Sequence, residues 1–180
     1  MCGARRNDAG NSSGVRAMTL QLSVNDLVAY TDWERQLWEA WFREQGAGPL
    51  KVRTGPHGDG RFEVVGDVVR HIFSAEKRYV QRVTGRPLTE AGSIPTDDVD
   101  ALFGFSRETR NDLRQLLVTY PADQWDVPQD FTVLKYAIRA TPRKIVIHIL
   151  MHEIRHWAQI ATLLRLEGLK AEPHDYLMSP

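Results

Sequence analysis

IVIHILMHEIRHWAQIATLLRLEG, residues 145–168, is the stretch whose reading decides the fold. It is apolar enough for one long helix, and Thr141-Pro142 just before it supplies a start. A threonine oxygen can accept from the first free backbone N–H groups, and proline at the first helical position removes a donor that had no partner. Gly168 fits the stop, with Arg165 in the last turn against the negative end of the helix dipole. His148, His152 and His156 are spaced four apart along this helix. Residues i and i+4 are neighbours on one helix face, so the imidazoles form a column. Neutral imidazole is the commonest protein ligand for metals, and two on adjacent turns make half a metal site. The plain alternative is a set of hydrogen-bonded core histidines.

Working outward, three more amphipathic segments precede this one. Ser23 starts the first, with Asp26 three residues on as a variant of the capping box. Leu27, Tyr30, Leu37 and Trp41 mark its stripe, flanked by Trp33, Trp38 and Phe42 as packing aromatics. Gly46 to Gly60, with its GAGP and TGPHGDG runs, is a loop that holds His57. The second helix spans Phe62 to Val83, with Val65, Val68, Ile72, Tyr79 and Val83 at helical spacing and His71 beside the stripe. The third spans Asp98 to Thr119. Leu102, Phe105, Thr109, Leu113 and Leu116 face inward; Arg107, Glu108, Arg110 and Asp112 form a solvated outer face. Asp123 to Arg139 is less regular and admits two readings: a short hairpin turning around Pro128-Gln129-Asp130, or an extended flap with a helical turn. Leu169 to Pro180 is a tail carrying His174, Asp175 and Tyr176. Four amphipathic helices without a strong strand pattern imply an all-α four-helix bundle, a class that binds metals with inward side chains from facing helices.

Composition narrows the function. The 180 residues suffice for one domain with a real core, expected over 20–180, after a disordered leader from Met1 to Thr19 rich in Gly, Asn, Ser and Arg. Formal net charge is zero, and no dense Lys/Arg run supports binding to nucleic acid. Cys2 is the only cysteine, which excludes internal disulfides and a thiolate zinc site and suits a cytoplasmic protein. Arg5 and Arg6 are followed by no apolar block, so no signal peptide is expected, and no apolar run is long enough to span a bilayer.

A catalytic tetrahedral metal site has three protein ligands and one open position. His152 and His156 supply two. His71 is the best third, being mid-helix and on a different element. His148 is next, but at 1.5 Å rise per residue it sits about 12 Å along the axis from His156. It is better placed above the site, hydrogen-bonded to a backbone or carboxylate partner. His57 and His174 rank last. Asp67 or Glu76 could accept an imidazole N–H, and Gln159 could hydrogen-bond near the ion. His152-Glu153-Ile154-Arg155-His156 also matches the HExxH pattern of zinc proteases, in which the glutamate is a general base. Its context is poor: Glu172 and His174 are the only downstream ligand candidates, and no edge strand awaits a peptide. An arginine or N–H partner at the helix surface is the favoured role for Glu153.

His148-Ile149-Leu150-Met151-His152-Glu153 followed by His156-Trp157-Ala158-Gln159-Ile160, taken with VVRHIFSAEKRYV around His71, resembles the signature of the DinB-like superfamily of metal-dependent enzymes. Members carry a histidine on the second helix and a last helix with H-x-x-x-H, a small residue and Gln. Trp157-Ala158 stands here where many relatives have Arg-Gly. The resemblance implies a bundle of up-down-down-up connectivity and often a homodimer. The connection from Gly85 to Pro95, about 11 residues and roughly 36 Å when extended, could make the parallel crossover. It further implies a divalent ion, zinc or nickel, held by His71, His152 and His156, and a thiol-dependent transferase as the leading function. In that function the ion lowers the pKa of a low-molecular-weight thiol, and a second small-molecule substrate enters from the mouth between helices. A non-catalytic metal-binding stress-response protein, with His148 or His174 as fourth ligand, is one alternative. A metal-dependent hydrolase is another, and a metal-free helical interaction protein a third.

Overall fold

The computed structural model describes residues 22–57, 60–133, 135–171 and 174–180. The expected leader with Cys2, and Glu172 of the tail, lie outside the described residues. Four long helices carry the fold: α1 (Val24–Gln45), α2 (Val65–Val83), α3 (Val99–Thr119) and α4 (Pro142–Leu166). Their starts follow the sequence signals. The Ser23 hydroxyl accepts from the Asp26 N–H while the Asp26 carboxylate accepts from the Ser23 N–H, a reciprocal cap. Asp98 caps α3 and Thr141 caps α4 with Pro142 at its first position. α2 begins at Val65, not Phe62, because Asp67 accepts from the backbone N–H of Glu63 and Val64 and sets the cap there.

Contacts between helices give their directions. Arg43 pairs with Asp100 and Asp32 with Arg114, so α3 runs against α1. Tyr79 meets His148 and His71 meets His156, so α4 runs against α2. Trp38 stacks on Trp157 and Arg35 pairs with Glu153, so α4 runs with α1. The result is up-down-down-up. The crossover from α2 to α3 passes so close to α2 that a Cβ on Gly66 would lie 1.8 Å from the Thr96 carbonyl oxygen; only glycine fits there.

A two-stranded antiparallel hairpin, β1 (Gln129–Val133) and β2 (Tyr136–Ala140), precedes α4. The hairpin alternative is the one realised, but its turn follows Val133 and does not use Pro128-Gln129-Asp130. Gln129 and Asp130 pair with Ala140 and Arg139 inside the ladder. Arg82 donates to the Thr132 carbonyl (3.0 Å), tying the hairpin to α2.

Two apolar cores, one around Trp38, Phe42, Phe73, Phe103 and Trp157 and one around Val80, Leu113, Val146 and Leu150, are separated by a layer of buried charge. Arg35 of α1 donates through Nη2 to Glu76 of α2 and to Glu153 of α4 (both 2.7 Å), and through Nη1 to Ser106 of α3. Arg110 of α3 donates to Glu153 (2.7 Å) and to the Thr31 hydroxyl (3.1 Å). This overturns the solvated role read for Arg110, which is 4% exposed, and the surface role read for Glu153, which is 1% exposed. On α1 the expected Tyr30 and Trp41 are buried, but Leu27 and Leu37 are only half-buried, and Thr31, Glu34, Arg35, Trp38 and Phe42 complete the inward face. The tail beyond α4 folds back as well. Tyr30 donates to the His174 carbonyl, Trp41 donates to the Lys170 carbonyl (3.1 Å), and the His174 ring packs 4.6 Å from Trp38.

Two consequences for stability follow from these buried groups. Glu153→Ala leaves two buried guanidiniums with Glu76 and the part-exposed Asp32 as their remaining carboxylates and is expected to cost about 3–5 kcal/mol, measured by urea unfolding. Glu34 is 4% exposed, and burial, followed by the nearby Glu153 charge, pushes its carboxyl up to about 8. A carboxyl raised on folding favours the folded state below its unfolded pKa and loses that contribution as pH rises through the folded value. Wild-type stability is therefore expected to fall, relative to Glu34→Gln, between about pH 4.5 and pH 8, by on the order of a few kcal/mol in paired urea titrations.

Candidate metal centre

α4 divides its histidines and its glutamate between two faces. Successive residues on an α-helix turn by about 100°. Glu153 therefore points into the charged layer, while His152 and His156 face the groove against α2. From across that groove α2 presents His71. Its Nε2 lies 3.1 Å from His152 Nε2, which lies 3.1 Å from His156 Nε2. One ligand atom from each of the three residues falls within 4.8 Å of both others. Zinc holds imidazole nitrogens at about 2.0–2.1 Å, so nitrogens this close can share one ion.

Tautomer chemistry supports that use. His156 Nδ1 lies 2.8 Å from the Gln159 carbonyl oxygen, an acceptor that places the ring proton on Nδ1. The lone pair of Nε2 then faces the cluster. A proton on His152 Nε2 could be shared between its two neighbours, which is the bland reading; a cation satisfies all three lone pairs at once. Burial, then the neighbouring His156 and His71, push His152 down to about 2, so it stays neutral and able to bind a metal at any ordinary pH. Gln159 thus stands within hydrogen-bond distance of His156, at the edge of the histidine cluster.

The other candidates lie elsewhere. Asp67 serves the α2 cap and pairs with Arg70, and Glu76 belongs to the charged layer, so neither of these carboxylates is taken up by an imidazole in the contacts described. His148 sits above the cluster as expected, but among the described residues no hydrogen bond joins it to backbone or carboxylate. It packs edge-on to the Tyr79 ring at 5.1 Å and 5.6 Å from His152. Burial and then the charge of Arg155 hold its pKa below the usual histidine value. His174 lies against Trp38 and Glu34 in a separate cavity of about 600 Å³, on the other side of α4. Phe62, which ordinary periodicity assigns to α2, instead lies before the helix and covers the site, 4.8 Å from His71 and 6.2 Å from His156.

Glu153 cannot serve as the general base of an HExxH protease. Burial alone would raise its pKa, but the charges of Arg35 and Arg110 override this and hold it ionised below the usual range. Both oxygens are occupied, by Arg35, Arg110 and the Trp157 indole N–H (3.2 Å to Oε1).

The DinB family matches the sequence over residues 18–180. The chain belongs to the DinB family. No curated protein matches it. Family and geometry agree: this DinB protein carries a three-histidine cluster that could hold a metal ion, on an all-α four-helix bundle. Among its described residues no helix is long and apolar enough to cross a membrane.

His71→Ala, His152→Ala and His156→Ala are each expected to abolish stoichiometric metal retention, measured by elemental analysis of untagged protein, while His148→Ala retains it. Gln159→Ala is expected to weaken metal affinity by about 10–100-fold, because it frees the tautomer of His156.

Proposed function

We propose that this DinB protein is a divalent-metal-dependent enzyme, with His71, His152 and His156 as ligands to zinc or nickel, and that its reaction is transfer of a small thiol to a second substrate. One observation carries the reading: three imidazole nitrogens converge, with His156 Nδ1 on the Gln159 side-chain oxygen, and two of them, His71 and His152, line a groove between α2 and α4 of about 260 Å³. When bound in such a set, a divalent ion with an open fourth position lowers the pKa of a thiol that reaches it.

The chain's own residues supply the rest. Gln159 orients His156. Phe62 packs against His71 and His156 on the side away from the hairpin. His148 and Tyr79 form the upper wall, and Val133 at the end of β1 closes the groove from the hairpin side. Glu153, spent on the charged layer, offers no base for activating water, which favours thiol transfer over the hydrolase reading. The stress-response reading needs a protein group as fourth ligand. Its candidates are His148, whose ring edges against Tyr79, and His174, across α4; neither joins the cluster, and this favours an open position. A cytoplasmic homodimer acting on small molecules belongs to the same proposal.

The test is a conjugation assay with zinc- or nickel-loaded protein, a panel of low-molecular-weight thiols and an electrophilic aromatic halide. The expected outcome is a rate that falls to background in His152→Ala and that remains, in the folded fraction, in Glu153→Gln. Equal rates for wild type and His152→Ala across all thiols would sink the proposal.

A further inference from the structure

The groove beside the three histidines carries an unusual concentration of arginine. Arg78 and Arg82 are seven and eleven residues past His71 on α2, so all three share one helix face. Arg155 stands three residues past His152 on α4. All three arginines line the 260 Å³ groove together with Arg61, and among the described residues no carboxylate lines it. Most arginines elsewhere are paired, among them Arg43 with Asp100, Arg114 with Asp32, Arg139 with Asp130 and Arg143 with Asp126. Among the described residues Arg78, Arg82 and Arg155 have no carboxylate within ion-pair distance.

This arrangement is costly in itself. Arg78 Nε is buried and donates to nothing among the described residues. A buried donor without a partner destabilises the fold, more so when the group is charged, because its lost hydration is not replaced. Arg82 is held by the Thr132 carbonyl and lies over the Tyr79 ring at 5.5 Å. Its pKa is lowered by burial and next by the charge of Arg78, the mark of like charges crowded together. The facing titratable groups do not relieve this. His71, His148 and His152 are imidazoles. Glu63 and Asp67 line the adjoining cavity with Arg61 and Arg70, and Asp67 is engaged by Arg70 and the α2 cap.

We propose that Arg78, Arg82 and Arg155 form an anion-binding wall beside the three histidines, and that the substrate entering this groove carries at least two negative charges, as carboxylates or as a phosphate group. Guanidinium forks match both groups and bind them with two parallel hydrogen bonds. The arginines stand on two facing helices, so one monoanion would leave part of the wall unpaired. A cation at the histidines would add to the positive charge and strengthen the demand for an anionic occupant. The inference rests on the proposed function only for where the reacting atoms lie.

The experiment is calorimetric titration of the full chain with succinate, with inorganic phosphate, and with succinamide as the neutral counterpart. It is run on protein stripped with EDTA and on zinc-loaded protein. The stripped wild type is expected to bind succinate or phosphate and not succinamide, and the tighter of the two anions names the group recognised. Arg78→Gln and Arg155→Gln should each weaken binding about tenfold, with Arg155→Lys losing less than Arg155→Gln. Thermal unfolding midpoints check that the variants fold, and the exposed Arg155 provides a variant that tolerates substitution should Arg78→Gln unfold. Equal affinity in wild type and both glutamine variants, or anion binding that appears only with zinc, would overturn the proposal. The stripped arm needs no metal, so a chain that takes up no zinc yet binds succinate through Arg78 and Arg155 refutes the metal reading and leaves this one standing.

Discussion

Two arginines and two glutamates without access to water hold the four helices in register. Arg35 and Arg110 each reach Glu153, and each also meets Glu76, so one residue from every helix meets in a single layer. Asp32 of α1 adds a third, part-exposed carboxylate on Arg110. Such a layer gains little net stability over apolar packing, because desolvation of the ions offsets their attraction, but it tolerates no slip. Sliding α4 by one turn would separate Glu153 from both guanidiniums, leaving a buried carboxylate unpaired and two guanidiniums to share Glu76 and Asp32. Apolar faces alone accept a shifted register far more cheaply.

That constraint acts directly on the metal centre. His152 and Glu153 are adjacent in sequence, so whatever fixes the axial position and rotation of Glu153 also fixes His152. Glu76 does the same on α2, five residues from His71. The charged layer therefore sets the rods so that the nitrogens of His71 and His152 come within 3.1 Å. Trp157, stacked on Trp38 with its indole N–H on Glu153, locks the same turn of α4 from the other side. In this chain the two residues following His156 do not contribute to the cluster: Trp157 is core, and Ala158 lines the cavity on the far side.

Around the cluster the protein is electropositive on the open side and aromatic on the closed side. Phe62 covers one flank of the histidines, and the arginine-lined groove opens on the other. Burial holds the pKa of His152 down, and among the described residues no carboxylate lines the groove in front of it. The arrangement suits a site that draws its compensating charge from its substrate.

What could be read from residues alone was local. Helix starts at Ser23, Asp98 and Thr141, the stop at Gly168 and the histidine column on α4 depend on hydrogen bonds within a few residues, which linear spacing encodes. The selection of His71 as partner also came through, because a histidine beside an apolar stripe on another helix stands out. The fate of the charged residues did not. Arg35, Glu76 and Arg110 look like surface charges one at a time, and Glu153 looks like half of a catalytic motif; only when four helices close do they find one another and leave water. The hairpin turn was misplaced for a similar reason, since its register depends on where β1 meets β2 and α2. Periodicity and capping thus determined a four-helix bundle with imidazoles on its last helix. Tertiary packing alone decided which charges are buried, which face of α4 meets α2, and that Arg78, Arg82 and Arg155, with no carboxylate partner among the described residues, stand beside the histidines, because charge pairing across helices depends on distances that no sequence spacing records.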